Sequence, residues 1–351
     1  MFDEVVLDWF CLINSKGIGP KTFWSMMRKF GTAKESLKHV ATSFSRDKAK
    51  KILHSMNCGI ILANEPIFPR SLRRSSSCPP ILFYKGDKSI LSKRRIAIIG
   101  ARNASIAGKS IAKSLALNLA NDFAIISGLA KGIDTAAHQG SLERLENKAT
   151  ISVLPFGFDN IYPKENLQLY EKIAKNALVL TETPNRYIND QGAFLARNRI
   201  IALLAEAIVV IEAAAKSGTM TTAQMALDLG CDVLVVPGSP LDPRYFGSNL
   251  LIKNGATLIQ NHFDVLDALI RGQETQRPLP MVDKEQKETC AAIGDSSSKI
   301  LSMLSEVPVS IDEIAVNANM NIKDLLCVIS ELELMGKVVK HSMNEVVLMR
   351  K

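Results

Sequence analysis

The chain has no Cys-x-x-Cys pair. Its six cysteines, Cys11, Cys58, Cys78, Cys231, Cys290 and Cys327, are scattered over 351 residues, and its five histidines are equally dispersed. That distribution excludes a zinc site and a disulfide framework, and a reducing cytoplasm is the expected location. No uncharged run approaches a membrane span, and the acidic start MFDEVVLDWF has neither a basic lead nor a cleavage-like small-residue site. A secretory leader and a membrane anchor are therefore not expected. Two further absences are local. Gly100-Ala101-Arg102 puts a cation where a dinucleotide-binding Gly-x-Gly-x-x-Gly needs its second glycine, and no acidic residue follows Ile126 where a ribose partner would sit. Both count against a nicotinamide-dependent oxidoreductase.

What is present is an ordinary globular composition with a basic balance. Hydrophobic residues make up 47% and charged residues 22%, which supports a substantial core, and the length allows two or three domains. Lys and Arg number 43 against 35 Asp and Glu, a net charge of +8. Such a balance is the usual footprint of a protein that meets phosphate polyanions, although a solvated basic surface gives the same sum.

Residues 1–65 read as a helical domain, with apolar positions such as Val6, Trp9, Phe10 and Ile13, then Phe23, Met26, Met27 and Phe30, at helical spacing to about residue 62. The turn Lys16-Gly17-Ile18-Gly19-Pro20-Lys21 between them has two readings. It resembles the hairpin of helix-hairpin-helix modules, where glycines let backbone amides meet a phosphate and Lys21 and Arg28 add charge. It also suits a plain connector that uses glycine for backbone freedom. From 66 to 272, short continuous apolar runs alternate with amphipathic helices: Ile96–Ile99, Phe123–Ile126, Thr150–Leu154, Leu178–Thr181, Ala207–Ile211 and Asp232–Val236. This pattern predicts an α/β domain, a doubly wound and mainly parallel sheet. Residues 273–298 lose the apolar period and read as a linker. Residues 299–351 predict three helices and a hairpin, a winged helix, whose third helix carries Asp324, Glu331 and Glu333 against Lys323. That charge fits an interaction or regulatory role at least as well as DNA binding.

In a parallel sheet, ligands bind at the carboxyl ends of the strands, so four turns are expected to share one crevice. The first is Gly100-Ala101-Arg102. The second, Ser127-Gly128-Leu129-Ala130-Lys131-Gly132-Ile133-Asp134, offers amides, a hydroxyl and the Lys131 charge to an anion. There Asp134 reads as a helix cap and His138 as a structural histidine rather than as catalytic groups. The third, Tyr162-Pro163-Lys164-Glu165-Asn166, brings a cation, and the loop 183–193 with Arg186 supplies a wall. Arg197-Asn198-Arg199 then opens a helix, its arginines free to bind phosphate or to pair with Glu182 or Glu212. The fourth turn, Lys216-Ser217-Gly218-Thr219-Met220-Thr221-Thr222, precedes a helix whose first turn lacks a carboxylate, which suits an oxyanion. Phe156, Phe158 or Tyr187 could stack on bases.

These motifs, with Ala137-His138, Thr222-Ala223, Val236-Pro237-Gly238, Gly247-Ser248-Asn249 and Asn254-Gly255-Ala256, together resemble the DprA/Smf family of DNA-processing proteins over about residues 66–260. The resemblance implies a Rossmann-like domain that binds single-stranded DNA, forms a homodimer and loads the RecA recombinase in natural transformation; no cofactor and no metal are expected. It implies a DNA-contacting role for Arg102, a pocket role for Lys164, and phosphate binding by Ser217, Gly218 and Thr219. Lys131 departs from the arginine common at its position, which keeps the charge and loses bidentate geometry.

A closer enzymatic rival is a nucleotide N-glycoside hydrolase of the lysine-decarboxylase-like group, whose Pro-Gly-Gly-x-Gly-Thr turn is followed by a catalytic glutamate. The turn at 216–222 lacks that general acid/base. A nucleotide-sensing scaffold is a third reading. The expectation is binding without catalysis.

Overall fold

The computed structural model describes residues 3–41, 43–144, 149–183, 191–275, 300–304, 309–334, 337–342 and 345–348. Residues up to Thr275 form one compact unit and those from Gln276 a second.

The first unit opens with four helices, α1 (Glu4–Ile13), α2 (Pro20–Phe30), α3 (Ala33–Leu37) and α4 (Arg46–Ser55). Their starts follow local chemistry. Asp3, Thr32 and Ser45 accept amide hydrogens as N-caps of α1, α3 and α4, and Pro20 occupies the first turn of α2, where its missing N–H costs nothing. The glycine turn before α2 holds Gly17 at φ 80°, a conformation that side chains disfavour. The helical reading overshoots at its end, because Gly59–Leu62 is strand β1, paired antiparallel with β2 (Ile81–Gly86). Gly-Ile-Ile-Leu is too short a run to separate helix from strand by period.

The sheet continues with β3 (Arg94–Gly100), β4 (Phe123–Ser127), β5 (Thr150–Val153), β6 (Leu178–Thr181), β7 (Ala207–Ile211), β8 (Asp232–Val235) and β9 (Thr257–Leu258). Its order is β1-β2-β6-β5-β4-β3-β7-β8-β9, with β3 to β9 mutually parallel and β1 and β2 an antiparallel edge. The continuous apolar strands are explained by burial on both faces. Ala97 and Ile99 face one core while Ile96 and Ile98 face the other, and β4 and β7 divide in the same way. The front helices share the first core: Phe10 meets Phe83 edge to face at 6.1 Å, and the Trp24 indole donates to the Cys78 carbonyl at 2.8 Å.

Chain direction sets the position of the site. From β3 the chain moves outward one way through β4, β5 and β6, then returns across β3 to β7, β8 and β9. The order reverses between β3 and β7, and a crevice opens at their carboxyl ends.

In the second unit β10 (Val309–Ser310), α13 (Ile311–Ala318), α14 (Ile322–Leu334), β11 (Val338–Ser342) and β12 (Glu345–Leu348) surround a small core of Ile314, Leu325, Ile329, Leu332, Val338 and Val346. Helices followed by a hairpin make the expected winged helix. The predicted linker falls outside the described residues from 276 onward.

Candidate nucleic-acid interface

A cavity of about 540 Å³ occupies the switch point, and Gly100, Arg102, Phe194, Asn198, Gly218 and Arg244 are among its lining residues. Its floor is made where β3 ends. Gly100 lies against β7 and against α7 (Ile133–Leu142), and a Cβ there would drive into the Ile211 carbonyl and the Ile133 side chain. The chain then turns outward and exposes Arg102, whose guanidinium lies over the Phe194 ring 5.3 Å from its centroid.

The opposite wall is the start of α10 (Gly218–Asp228). Ser217 caps it by accepting the Met220 amide at 3.3 Å, and the Thr219 hydroxyl donates to the Gly100 carbonyl at 3.0 Å. Those hydroxyls build the turn. The amides left without an intrahelical acceptor are those of Gly218 and Thr219, two residues that line the cavity, and a Cβ on Gly218 would meet nothing within 4 Å. The fourth turn is held from below by α11 (Phe246–Lys253), where the Gly247 amide donates to the Ala213 carbonyl at 2.7 Å and the Ser248 hydroxyl accepts from the Ala213 amide at 2.9 Å.

The Arg-Asn-Arg run differs from expectation. It lies inside α9 (Gln191–Leu204) rather than at its start, so its side chains are aimed by a helix and not by a loop. Arg197 is buried, donating to the Gly128 and Val153 carbonyls, the latter at 2.8 Å. Burial lowers its pKa to about 10 against the opposing pull of Asp134, so it stays charged at neutral pH. Asn198 lines the cavity. Arg199 pairs with Glu182 and donates to the Ser77 carbonyl at 2.6 Å, the buttressing alternative for that residue.

Asp134 is not a cap, since Gly132 is the N-cap of α7. Its buried carboxylate reaches back to accept the Gly128 amide at 3.0 Å and the Ala130 amide at 3.3 Å, closing the second turn on itself. Burial raises its pKa, while the Arg197 charge and these amides oppose the rise. His138 is fully buried, its Nδ1 2.8 Å from the Thr150 hydroxyl, and burial pushes its pKa down to about 3. It is a neutral structural histidine.

Several expected ligand groups are turned inward. Ser127 is completely buried and donates to the Ile98 carbonyl at 2.7 Å, so its hydroxyl is shut away from any phosphate. Gly128 packs against the Arg197 guanidinium, and Gly132, at φ 82°, packs against the Ala101 and Arg102 carbonyls. Asn166 is also buried, its amide donating to the Leu129 carbonyl at 2.8 Å and to the Thr135 hydroxyl at 2.9 Å. Thr222 is buried along the cavity wall and donates to the Gly218 carbonyl at 3.0 Å. The third turn thus braces the second rather than lining the cavity. Lys131 and Lys164 are exposed outside it, Lys131 paired with Glu165 at 2.6 Å, and Lys216 is exposed at the foot of the fourth turn. Arg186 and Tyr187 lie outside the described residues.

The aromatic expectation is also corrected. Phe156 and Phe158 are buried in the core. Phe194 lines the cavity half-buried and meets Tyr162, 43% exposed, at 6.0 Å, and Phe156 packs edge-on against Phe194 at 5.2 Å. Arg244, near the cavity mouth and paired with Asp242 at 2.6 Å, was not anticipated either. No periodicity marked Phe194 or Arg244, which only the fold brings beside Arg102. Glu212 is the carboxylate just past β7, and it is spoken for: it accepts the Ser105 amide at 2.9 Å, the Ser105 hydroxyl, and the Tyr245 hydroxyl at 3.0 Å.

Comparison with known proteins agrees with this geometry. The model of the family described as DNA recombination-mediator protein A matches residues 59–270, the DprA-like N-terminal HHH domain matches 3–54 and the DprA winged helix domain matches 286–342. The DNA processing protein DprA of Bacillus subtilis is 39% identical over 204 residues, 58% of this chain and 68% of that protein. Protein Smf of Synechocystis is 32% identical over 312 residues, covering 80% of this chain and 78% of its own. Among solved structures, DprA of Streptococcus pneumoniae superposes with a TM-score of 0.60 at 34% identity, over 67% of this chain and 80% of that one. DprA of Helicobacter pylori, solved to show its single-stranded DNA binding mode, superposes with a TM-score of 0.56 at 30% identity, over 62% of this chain and 97% of that one.

Proposed function

Because the chain belongs to the DprA/Smf family of DNA recombination-mediator protein A, we propose that it binds single-stranded DNA in the switch-point cavity. The observation that carries this reading is the meeting of three complementary groups in one crevice: the Arg102 cation, the Phe194 ring and the free amides at the start of α10. A phosphate suits the cation and the amides, and a base suits the ring. Lys131, Lys164 and Lys216 extend the positive surface beyond the crevice, where a neighbouring phosphate would pass. Ser217 and Thr219 serve by fixing the shape of the amide nest.

The chain acts as a binder and not as a catalyst. An N-glycoside hydrolase needs a free carboxylate beside its phosphate turn. Here Asp134 lines the cavity but is buried and holds the Gly128 and Ala130 amides, and Glu212 is engaged by Ser105 and Tyr245. Incubation with AMP should release no adenine.

Family membership supports the wider role: protection of incoming single strands in the cytoplasm, assembly as a homodimer, and loading of RecA in transformation and recombination. The deciding experiment titrates labelled oligo-dT and a duplex of equal length at several salt concentrations. Tighter, salt-sensitive binding of the single strand is expected. Equal affinity for the two would overturn the assignment.

A further inference from the structure

A second cavity, of about 530 Å³, lies between α2 and the segment that joins β1 to β2. Its walls include Trp9, Trp24, Met27, Arg28, Arg73 and Ser75. The chain has two tryptophans, and both are here. Trp24 is the outer member of an aromatic cluster, edge-on to Trp9 at 5.7 Å and to Phe23 at 5.2 Å, and its bond to the Cys78 carbonyl fixes the plane of the indole. A half-buried, orientation-locked indole is a stacking surface that loses little freedom when it is covered.

The rim is cationic. Arg28 is exposed, two helical turns beyond the glycine hairpin that it was expected to serve. Arg73 belongs to the short helix α5 (Arg70–Arg73), where it is held by the Glu65 carbonyl and lies over the Phe68 ring at 5.8 Å, with Arg70 and Arg74 exposed beside it. No ion pair to a carboxylate is present at Arg28, Arg70, Arg73 or Arg74 among the described residues. A locked indole beside unpaired arginines recognises a flat aromatic group joined to a phosphate, which is a nucleotide unit. Helix α9 links the two neighbourhoods: Asn198 lines the first cavity, and Arg199 donates to the carbonyl of Ser77, which lies between Ser76 and Cys78 of the second.

We propose that the Trp24 cavity is a second nucleotide subsite, in which a base of the bound strand stacks on Trp24 and its phosphate is held by Arg28 and Arg73. This rests on the single-strand reading above and extends it to a path longer than the switch-point cavity.

Two signals from one titration test it. With the full chain and an end-labelled oligo-dT of about 16 nucleotides, at the upper end of the usual site size, anisotropy reports binding anywhere and indole emission reports the second cavity. The expected result is saturating anisotropy with loss of roughly half of the indole emission, as one of two tryptophans is covered by a base. The double variant Arg28→Glu, Arg73→Glu should lose that quenching while keeping anisotropy binding through Arg102. Saturating anisotropy with unaltered indole emission overturns the subsite alone, as does full quenching retained in the double variant. Absence of any anisotropy change overturns the subsite together with the single-strand reading.

Discussion

The guanidinium of Arg102 lies over the ring of Phe194, 5.3 Å from its centroid, although 92 positions separate them, from 102 to 194. Each orders the other, and the pair sets a cation and an aromatic ring side by side in the cavity. Replacing Phe194 by alanine is expected to cost about 1–3 kcal/mol of binding, the range for a stacked base. The check is paired, with oligo-dT against an abasic strand of equal length. Only the former should weaken, and equal losses would show that the ring does not stack.

Gly218 offers a cleaner test of the amide nest. An added methyl meets nothing within 4 Å, and alanine is at least as good as glycine inside a helix. Gly218→Ala should therefore fold with unchanged or slightly raised stability and bind DNA several-fold more weakly, since the methyl stands between phosphate and amides. Gly100→Ala is the opposite case, because its Cβ would collide with the Ile211 carbonyl and the Ile133 side chain. That variant should be destabilised in urea, and a wild-type midpoint would contradict the packing account.

Arg197 is a structural cation. Removing it leaves Asp134 buried without its counter-charge and strips donors from the Gly128 and Val153 carbonyls. Arg197→Ala should cost about 1–3 kcal/mol of stability for each buried carbonyl left without its donor. Urea midpoints at a constant slope measure it.

His138 gives a pH dependence with a defined sign. Its folded pKa, about 3, is below the ordinary value of 6.5, so its contribution is fully present above pH 6.5 and is lost as pH falls towards 3, where the unfolded chain takes up a proton that the folded one refuses. The raised pKa of Asp134 works in the opposite direction over the acid range. Comparison with His138→Gln, in which Asp134 is unchanged, isolates the histidine. The wild type should lose stability more steeply than the variant between pH 6.5 and 4, and parallel curves would sink the assignment.

The sequence carried the fold because its signals were local. Continuous apolar strands and their alternation with helices were enough to anticipate a doubly wound, mainly parallel sheet, while the strand order itself came from the structure. That Gly100, Arg102 and the 217–219 turn would share one crevice was readable because a strand end and a helix start have local signatures. The rest depended on tertiary placement. Ser127 and Asn166 carry the right chemistry for an anion but point inward to backbone groups, while Arg197 lies nearly two turns inside a helix that the loop reading opened there. Phe194 and Arg244 were hidden because nothing in their neighbours' periodicity says which side chains will meet across the sheet's edge.

The central claim is that Arg102 and the α10 amides bind a DNA phosphate in the switch-point cavity. The most direct measurement is the affinity of wild-type and Arg102→Ala protein for labelled oligo-dT across a salt series. The account predicts weaker binding for the variant at every sequence tested, with a logarithmic salt slope lower by about one. A folded variant with wild-type affinity and slope would contradict it.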